Sequence, residues 1–321
     1  MKNLFITSSP HFRGPQTTQT IMRDVLIALL PALVCSVLFF GPRPLLVVAT
    51  CVIACVAFEY IYRRAMHLPQ TVGDLSAAVT GTLLAFNLPP DMPLWMAVIG
   101  CLFAIVIVKQ LFGGMGKNFA NPAIVGRIVL LISFATPMTT WLLPVNSVTP
   151  DVTTGATPLA MAWATDVVTE ATAGAAAQMP TYLEMFIGRI GGSLGETSTL
   201  ALLIGGIYLL LRRVITVTTP LAFVGTVYIL TLVLGADTLF HILAGGLMLG
   251  AIFMATDYVT TPTTEPGKVI FGVGCGIITV VIRLYASYPE GVSFAILLMN
   301  IVTPHIDRLT TIKAFGGAPS K

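Results

Sequence analysis

The chain has 321 residues, of which 55% are hydrophobic and only 10% charged, where a soluble domain carries roughly 25% charged residues. With a mean hydropathy of +0.89, that composition excludes a water-soluble fold, which has too little interior to hide so much apolar surface. The net charge of +3 says little about partners, and no nucleic-acid partner is expected.

Residues 1–20 are polar and carry Lys2, His11 and Arg13, with no apolar run before a small-residue cleavage site. They read as a cytoplasmic N-terminal segment, not a cleavable signal peptide. Apolar stretches follow at Ile21–Phe40, Leu45–Tyr62, Val72–Leu88, Leu94–Leu111 and Ala123–Thr136. After a long gap come Thr197–Leu211, Val217–Leu234, Leu239–Tyr258, Val269–Tyr285 and Val292–Val302. Each approaches the about 20 residues that a bilayer requires, and the shorter ones are expected to tilt, break or extend. The fold class is therefore an all-α polytopic membrane protein of about ten transmembrane helices. Its parts are a first five-helix unit (21–136), an external loop (137–196), a second five-helix unit (197–304) and a cytoplasmic tail (305–321).

Orientation follows from Lys and Arg, which concentrate on cytoplasmic loops. With the N-terminus inside, one face receives Lys2, Arg13, Arg23, Arg63, Arg64, Lys109, Lys117, Arg127, Arg212, Arg213, Lys268, Arg308, Lys313 and Lys321. The other face receives only Arg43, Arg189 and Arg283. That asymmetry places both termini in the cytoplasm and the loop 137–196, which contains no Lys, outside.

The two units echo each other. Gly81–Pro90, reading GTLLAFNLPP, resembles Gly250–Asp257 and its continuation to Pro262. Asn118-x-x-x-Pro122 recurs as Asn300-x-x-x-Pro304. A unit with an odd number of helices re-enters from the opposite face, so the repeat would be inverted, with a working site between the halves near the midplane. The alternative is that Gly and Pro simply recur in membrane helices.

Cys35, Cys51, Cys55, Cys101 and Cys275 all fall in apolar stretches. Cys51 and Cys55 share a helix face, but no His or second Cys pair joins them, so buried thiols acting as small hydrophobes are expected in place of a metal site. No nucleophile–base pair, Walker loop or dinucleotide fingerprint is present. Gly113-Gly114-Met115-Gly116 lacks the strand-and-helix setting of a phosphate loop.

The external loop carries Asp151-Val-Thr-Thr154-Gly155-Ala156-Thr157-Pro158. It resembles the flavinylation sequence Asp-x-x-(Ser/Thr)-Gly-Ala-Thr, which receives FMN through a phosphoester on its last Thr. The resemblance implies Thr157 as the attachment point and Asp151, Thr154, Gly155 and Ala156 as the recognition residues. A separate flavin transferase would need an exposed hydroxyl flanked by small residues.

The rest of the chain agrees. Phe12-Arg13, Gly113–Asn118, Asn121–Arg127, Thr154–Pro158, Phe253–Asp257 and Pro304–Arg308 occur in order. Together they resemble the D subunit of the Rnf electron-transport complex, related to the B subunit of sodium-translocating NADH:quinone reductase. The resemblance implies a bacterial inner-membrane subunit with covalent FMN on the outer face and a second, noncovalent flavin of riboflavin type, to which no residue is assigned. It implies electron passage between ferredoxin and nicotinamide while Na+ or H+ moves. It also implies partners: an FMN-bearing G subunit, the A and E membrane subunits, and the B and C iron–sulfur subunits. With Thr157 outside and both redox partners inside, electrons must cross roughly 30 Å of hydrocarbon.

Charges within membrane segments are functional candidates. Asp257, beside Thr256 at the end of the eighth stretch, is the first choice for ion handling. The alternative is a carboxylate capping a helix end or pairing with a Lys. Asp24 and Glu59 read as partners of nearby Arg23 and Arg63. Arg283 either snorkels to the outer interface or pairs with the phosphate of an external FMN. From a different class, a small-solute channel or transporter fits the repeat equally well and is opposed by the flavinylation loop.

Overall fold

A computed structural model describes residues 17–144, 154–167, 179–286 and 290–311. Asp151, and most of the segments 1–20 and 305–321, lie outside the described residues.

A chain surrounded by hydrocarbon must satisfy its backbone internally, and helices do this within one segment. Helix α1 (Thr18–Phe40) begins at Thr17, whose hydroxyl accepts from Thr20 N–H in a capping box. Gly41, at φ +78°, ends it and lets the chain reverse directly into α2 (Arg43–Ala65). Helix α3 (Ser76–Phe86) is short and preceded by a tight turn at Val72–Asp74. Helix α4 (Leu94–Gln110) winds as a π-helix from Phe103 onward, and α5 (Pro122–Ser133) starts at the cap Asn121 with Pro122 in the first turn.

The loop 137–196 is partly structured. Trp141–Leu142 pairs antiparallel with Thr154–Gly155, and α6 (Pro158–Val167) and α7 (Tyr182–Ile187) follow. Then come α8 (Thr199–Leu211), α9 (Thr218–Val233), α10 (Thr238–Leu243), α11 (247–254), α12 (Glu265–Tyr285) and α13 (Val292–Leu309).

Helices α1, α2, α12 and α13 are long and apolar enough to cross a membrane. Five shorter apolar helices, α3, α4, α5, α8 and α9, pack among them. Large apolar side chains such as Leu38, Ile53, Leu211 and Leu221 project outward, as they do in a multi-pass membrane protein whose surroundings are lipid.

The expected stretches differ from the structure at two breaks. Val72–Leu88 is helical as α3 only over Ser76–Phe86. Backbone N–H groups of Leu194 and Gly195 then donate to the carbonyls of Leu88 and Phe86, completing hydrogen bonds the helix end leaves open. Leu239–Tyr258 is not one helix either. It is split at Ala244–Gly246 into α10 and α11, and α11 finishes as a π-helix over Gly250–Met254. By contrast α13 runs beyond Val302 and through Pro304 to Leu309.

One large core runs through the helices, built from residues such as Leu29, Leu84, Ile124, Phe223 and Phe271. A smaller cluster, with Leu159, Met185, Ile190, Phe240 and Ala244, anchors α6 and α7 on the face that carries the loop. Close helix approach depends on glycine: a Cβ on Gly205 of α8 would run into the Ala28 carbonyl oxygen of α1.

Candidate functional site

Thr157 is positioned by local chain chemistry. The pairing of Trp141 with Gly155 and of Leu142 with Thr154 holds the motif against the start of the loop. Thr157 then caps α6: its Oγ1 accepts from Ala160 N–H at 3.2 Å, its carbonyl accepts from Met161 N–H, and Pro158 occupies the first helical position. Thr154 and Ala156 are exposed, but Thr157 is only 5% exposed. This corrects the expectation of an open hydroxyl. A cap must turn its oxygen into the helix end, and here that end is seated on Ile190, Gly191 and Gly192. Thr157 shares a small pocket, about 10 Å³ and so room for about one water, with Glu196 and Gly245.

Beside this pocket lies a buried ionic cluster. Arg127, in the middle of α5 and 5% exposed, sends Nη1 to Asn87 Oδ1 (2.9 Å), Glu196 Oε1 (3.1 Å) and Ser293 Oγ (3.1 Å). Its Nη2 donates to Glu290. One guanidinium therefore joins the end of α3, the segment before α8 and the start of α13. The backbone decides this meeting. Gly195 lies so close to Phe86 that a Cβ there would be 2.5 Å from the ring-bearing Cβ, and the next residue is Glu196. Counting Arg127 as a loop charge is thereby corrected: it is turned away from solvent because two carboxylates and two neutral oxygens satisfy it. Glu196 and Glu290 escaped the sequence reading. A carboxylate directly before an apolar stretch was the available signal.

Arg283 does not snorkel. It is 6% exposed, and its Nη1 and Nη2 donate to the carbonyls of His241 and Ala244, capping the C-terminus of α10. A Cβ on Gly245 would be 3.1 Å from Arg283 Nη2, which brings this second guanidinium to the edge of the Thr157 pocket.

At the opposite ends of the helices a cavity of about 320 Å³ opens between the two units. Val25, Leu83 and Phe253 contribute apolar wall, while Ser76, Lys109, Asn118 and Asp257 contribute polar groups. Asp257 is half-buried just past α11; its carboxylate accepts from Val259 N–H (3.4 Å) and Thr260 Oγ1 (3.2 Å). That is the turn-capping geometry of the alternative reading, at the rim of a cavity, and no Lys forms an ion pair with it among the described residues.

The partners expected for Glu59 and Asp24 are also corrected. Glu59 is fully buried and accepts from Lys109 Nζ at 2.7 Å and from Thr71 Oγ1 at 2.5 Å, while Arg63 donates to Thr71. Lys109 reaches Glu59 because α2 packs on α4, and an unpaired charge on either helix would be costly to bury. Asp24 pairs with Arg212 at 3.1 Å across the α1–α8 contact, not with Arg23. The cysteines are free thiols, four of them buried, and among the described residues no three His, Cys, Asp or Glu side chains gather as a metal site.

A model of the NQR2, RnfD, RnfE family matches residues 5–316. The D subunit of the Na(+)-translocating ferredoxin:NAD(+) oxidoreductase complex of Acetobacterium woodii is 47% identical over 317 residues, covering 98% of this chain and 96% of its own. The D subunit of the proton-translocating ferredoxin:NAD(+) oxidoreductase complex of Clostridium ljungdahlii is 44% identical over 325 residues, covering 98% and 97%. The D subunit of the ion-translocating oxidoreductase complex of Ectopseudomonas mendocina is 38% identical over 330 residues, covering 96% and 95%. A match of this length and identity settles the family: the chain belongs to the NQR2, RnfD, RnfE family.

Proposed function

We propose that this chain is the D-type membrane subunit of an ion-translocating ferredoxin:NAD oxidoreductase, carrying FMN covalently on Thr157 while the complex moves Na+ or H+. Relatives alike over nearly their whole length bear names stating those activities. The observation that carries the flavin assignment is the cap geometry at Thr157. A phosphoester on its Oγ1 would set an anionic phosphate at the N-terminus of α6, where the helix dipole favours negative charge. Gly191 and Gly192 present no side chain to that position, and Arg283 lies close by. The nearby charge suits a phosphate, but the pocket has room for about one water and must open to admit the group. Because Thr157 is buried, the flavin transferase acts before the loop seats on Ile190–Gly192. FMN, when bound, supplies exchange of one or two electrons.

The same reading assigns about ten membrane spans in two inverted five-helix units, each with a broken third element, α3 in one and α10–α11 in the other. Both termini lie in the cytoplasm of a bacterial cell, with the Thr157 loop outside the inner membrane. The cavity beside Asp257 suits the noncovalent, riboflavin-type flavin, since its volume falls within the roughly 300–1,000 Å³ of small-molecule sites and its wall is mostly apolar. Asp257 handles the coupling ion at its rim. The subunit is not catalytic alone. It works with a G subunit bearing FMN, the A and E membrane subunits, and the B and C iron–sulfur subunits.

The test is ultraviolet illumination of a denaturing gel. The subunit made with the flavin transferase should fluoresce, Thr157→Ala should abolish the band, and Thr157→Ser and Thr153→Ala should retain it. Mass spectrometry should place the FMN phosphoryl group on Thr157. An unmodified peptide would defeat the flavin assignment and favour the transporter reading.

A further inference from the structure

We propose that Arg63 and Lys117, which converge on the glycine turn Gly113–Gly116, form a site for the phosphate of an anionic phospholipid. None of Arg63, Gly113, Gly114 or Lys117 lines the Thr157 pocket or the cavity beside Asp257, so the site is separate from both.

The turn is built so that two cations can approach it. Gly113, Gly114 and Gly116 have φ of +109°, +93° and +93°, a region that suits glycine. A Cβ on Gly113 would stand 2.8 Å from Lys117 Cδ and 3.6 Å from its Nζ, and one on Gly114 would stand 3.5 Å from Arg63 Nη2. Two positive charges therefore lie over adjacent residues that carry no side chain. The N–H groups of Met115 and Gly116 meet no acceptor among the described residues, and successive free N–H groups in a turn favour an anion. Gly113, Gly116 and Lys117 are exposed, so a headgroup reaches them without any opening of the fold.

No carboxylate answers these charges. Among the described residues neither Arg63 nor Lys117 forms an ion pair. Arg63 Nη1 donates to the Thr71 hydroxyl at 2.9 Å, and Thr71 donates on to Glu59. Glu59, however, is already matched by Lys109 at 2.7 Å. Arg63 Nε is buried without a hydrogen-bond partner, and so are both amide atoms of Gln110, which packs against Gly114. Surplus positive charge beside unmet polar groups suits an oxyanion, whose bonds to guanidinium and ammonium are charge-assisted.

The surroundings favour a lipid over free phosphate. Arg63 and Arg64 form the last turn of α2, a helix long and apolar enough to cross a membrane, so they stand where hydrocarbon gives way to headgroups. On and beside the turn Leu111, Phe112, Met115 and Phe119 are exposed, with the two rings 4.9 Å apart. Acyl chains would cover that apolar skirt, whereas free phosphate would leave it bare.

The experiment is native mass spectrometry of the full chain in neutral detergent, titrated with phosphatidylglycerol, phosphatidylcholine or inorganic phosphate. The wild type should retain phosphatidylglycerol in preference to phosphatidylcholine, and millimolar phosphate should not displace it. Arg63→Gln combined with Lys117→Gln should weaken that retention about thirtyfold, roughly fivefold for each basic residue. Arg213→Gln combined with Arg308→Gln removes equal charge from exposed positions elsewhere and should leave it unchanged. Equal retention of the two lipids overturns the proposal. So does retention that survives the Arg63 and Lys117 changes, or that falls equally in both double variants. Phosphate that binds alone and displaces the lipid would assign the site to a free oxyanion and overturn the lipid source. Phosphatidylglycerol held by the free chain but absent from the assembled complex, with Lys117 shielded from acetylation, would assign the face to a partner subunit's carboxylates and overturn it too. If Arg63→Gln lowers the yield of folded chain, Lys117→Gln alone, an exposed change, should still show its loss, and full retention there overturns the proposal.

Discussion

Arg127 and Glu196 stand 69 residues apart in sequence and meet at 3.1 Å, one from the middle of α5 and the other from the segment before α8. Both are buried, and Glu290 completes the pair from the start of α13. The ion pair therefore joins the first helical unit to the second at the point where α3 ends.

Removing the guanidinium should be far more damaging than the loss of an exposed pair. Arg127→Ala leaves Glu196 and Glu290 without their counter-ion, and breaking a buried pair on one side costs about 3–5 kcal/mol. Thermal melting of the detergent-solubilised subunit should show a large drop for Arg127→Ala. Arg127→Lys should recover only part, because an ammonium cannot span four acceptors as a planar guanidinium does. Melting equal to wild type for Arg127→Ala would show the cluster to be incidental.

The α1–α8 contact gives a paired test. Gly205→Ala drives a methyl group into the Ala28 carbonyl, and overpacking of this kind costs about 1–3 kcal/mol. Gly225→Ala in α9 meets nothing within 4 Å and should be neutral or slightly stabilising, since Ala exceeds Gly in helix propensity by about 1 kcal/mol. Thermal melts of the two variants should therefore move in opposite directions or by clearly different amounts.

Asp257→Asn should weaken ion-dependent turnover of the assembled complex while leaving the fluorescence of the subunit unaltered. The carboxylate sits at the cavity rim, far along the helices from Thr157. Asn retains the acceptor toward Val259 N–H, so the turn should survive. An unchanged ion dependence would assign Asp257 to capping alone.

Topology can be read by labelling. A cysteine placed at Thr165 should react with an impermeant maleimide on intact cells, and one placed at Arg213 should react only after permeabilisation. The reverse pattern would invert every side assigned from the Lys and Arg distribution.

Much of the architecture was legible because its physics is local. An apolar stretch near 20 residues makes a membrane helix wherever it occurs, and α1, α2, α12 and α13 lie where hydropathy puts them. The cap at Thr157 was implicit in Thr-Pro followed by an apolar run, although its burial was not. The breaks at Phe86 and Ala244 were less visible, because an apolar stretch reads alike whether one helix or two pieces fill it.

By itself, then, the sequence determined the membrane setting, the placement of the apolar helices and the helix start at Thr157-Pro158, since hydrophobicity and capping are properties of neighbouring residues. Which charges pair was decided only by the tertiary structure. Lys109 with Glu59, Arg212 with Asp24, and Arg127 with Glu196 and Glu290 each join residues from different elements. A buried charge takes whichever partner packing brings within reach, because leaving it unpaired in a low-dielectric interior costs more than any local preference can offset.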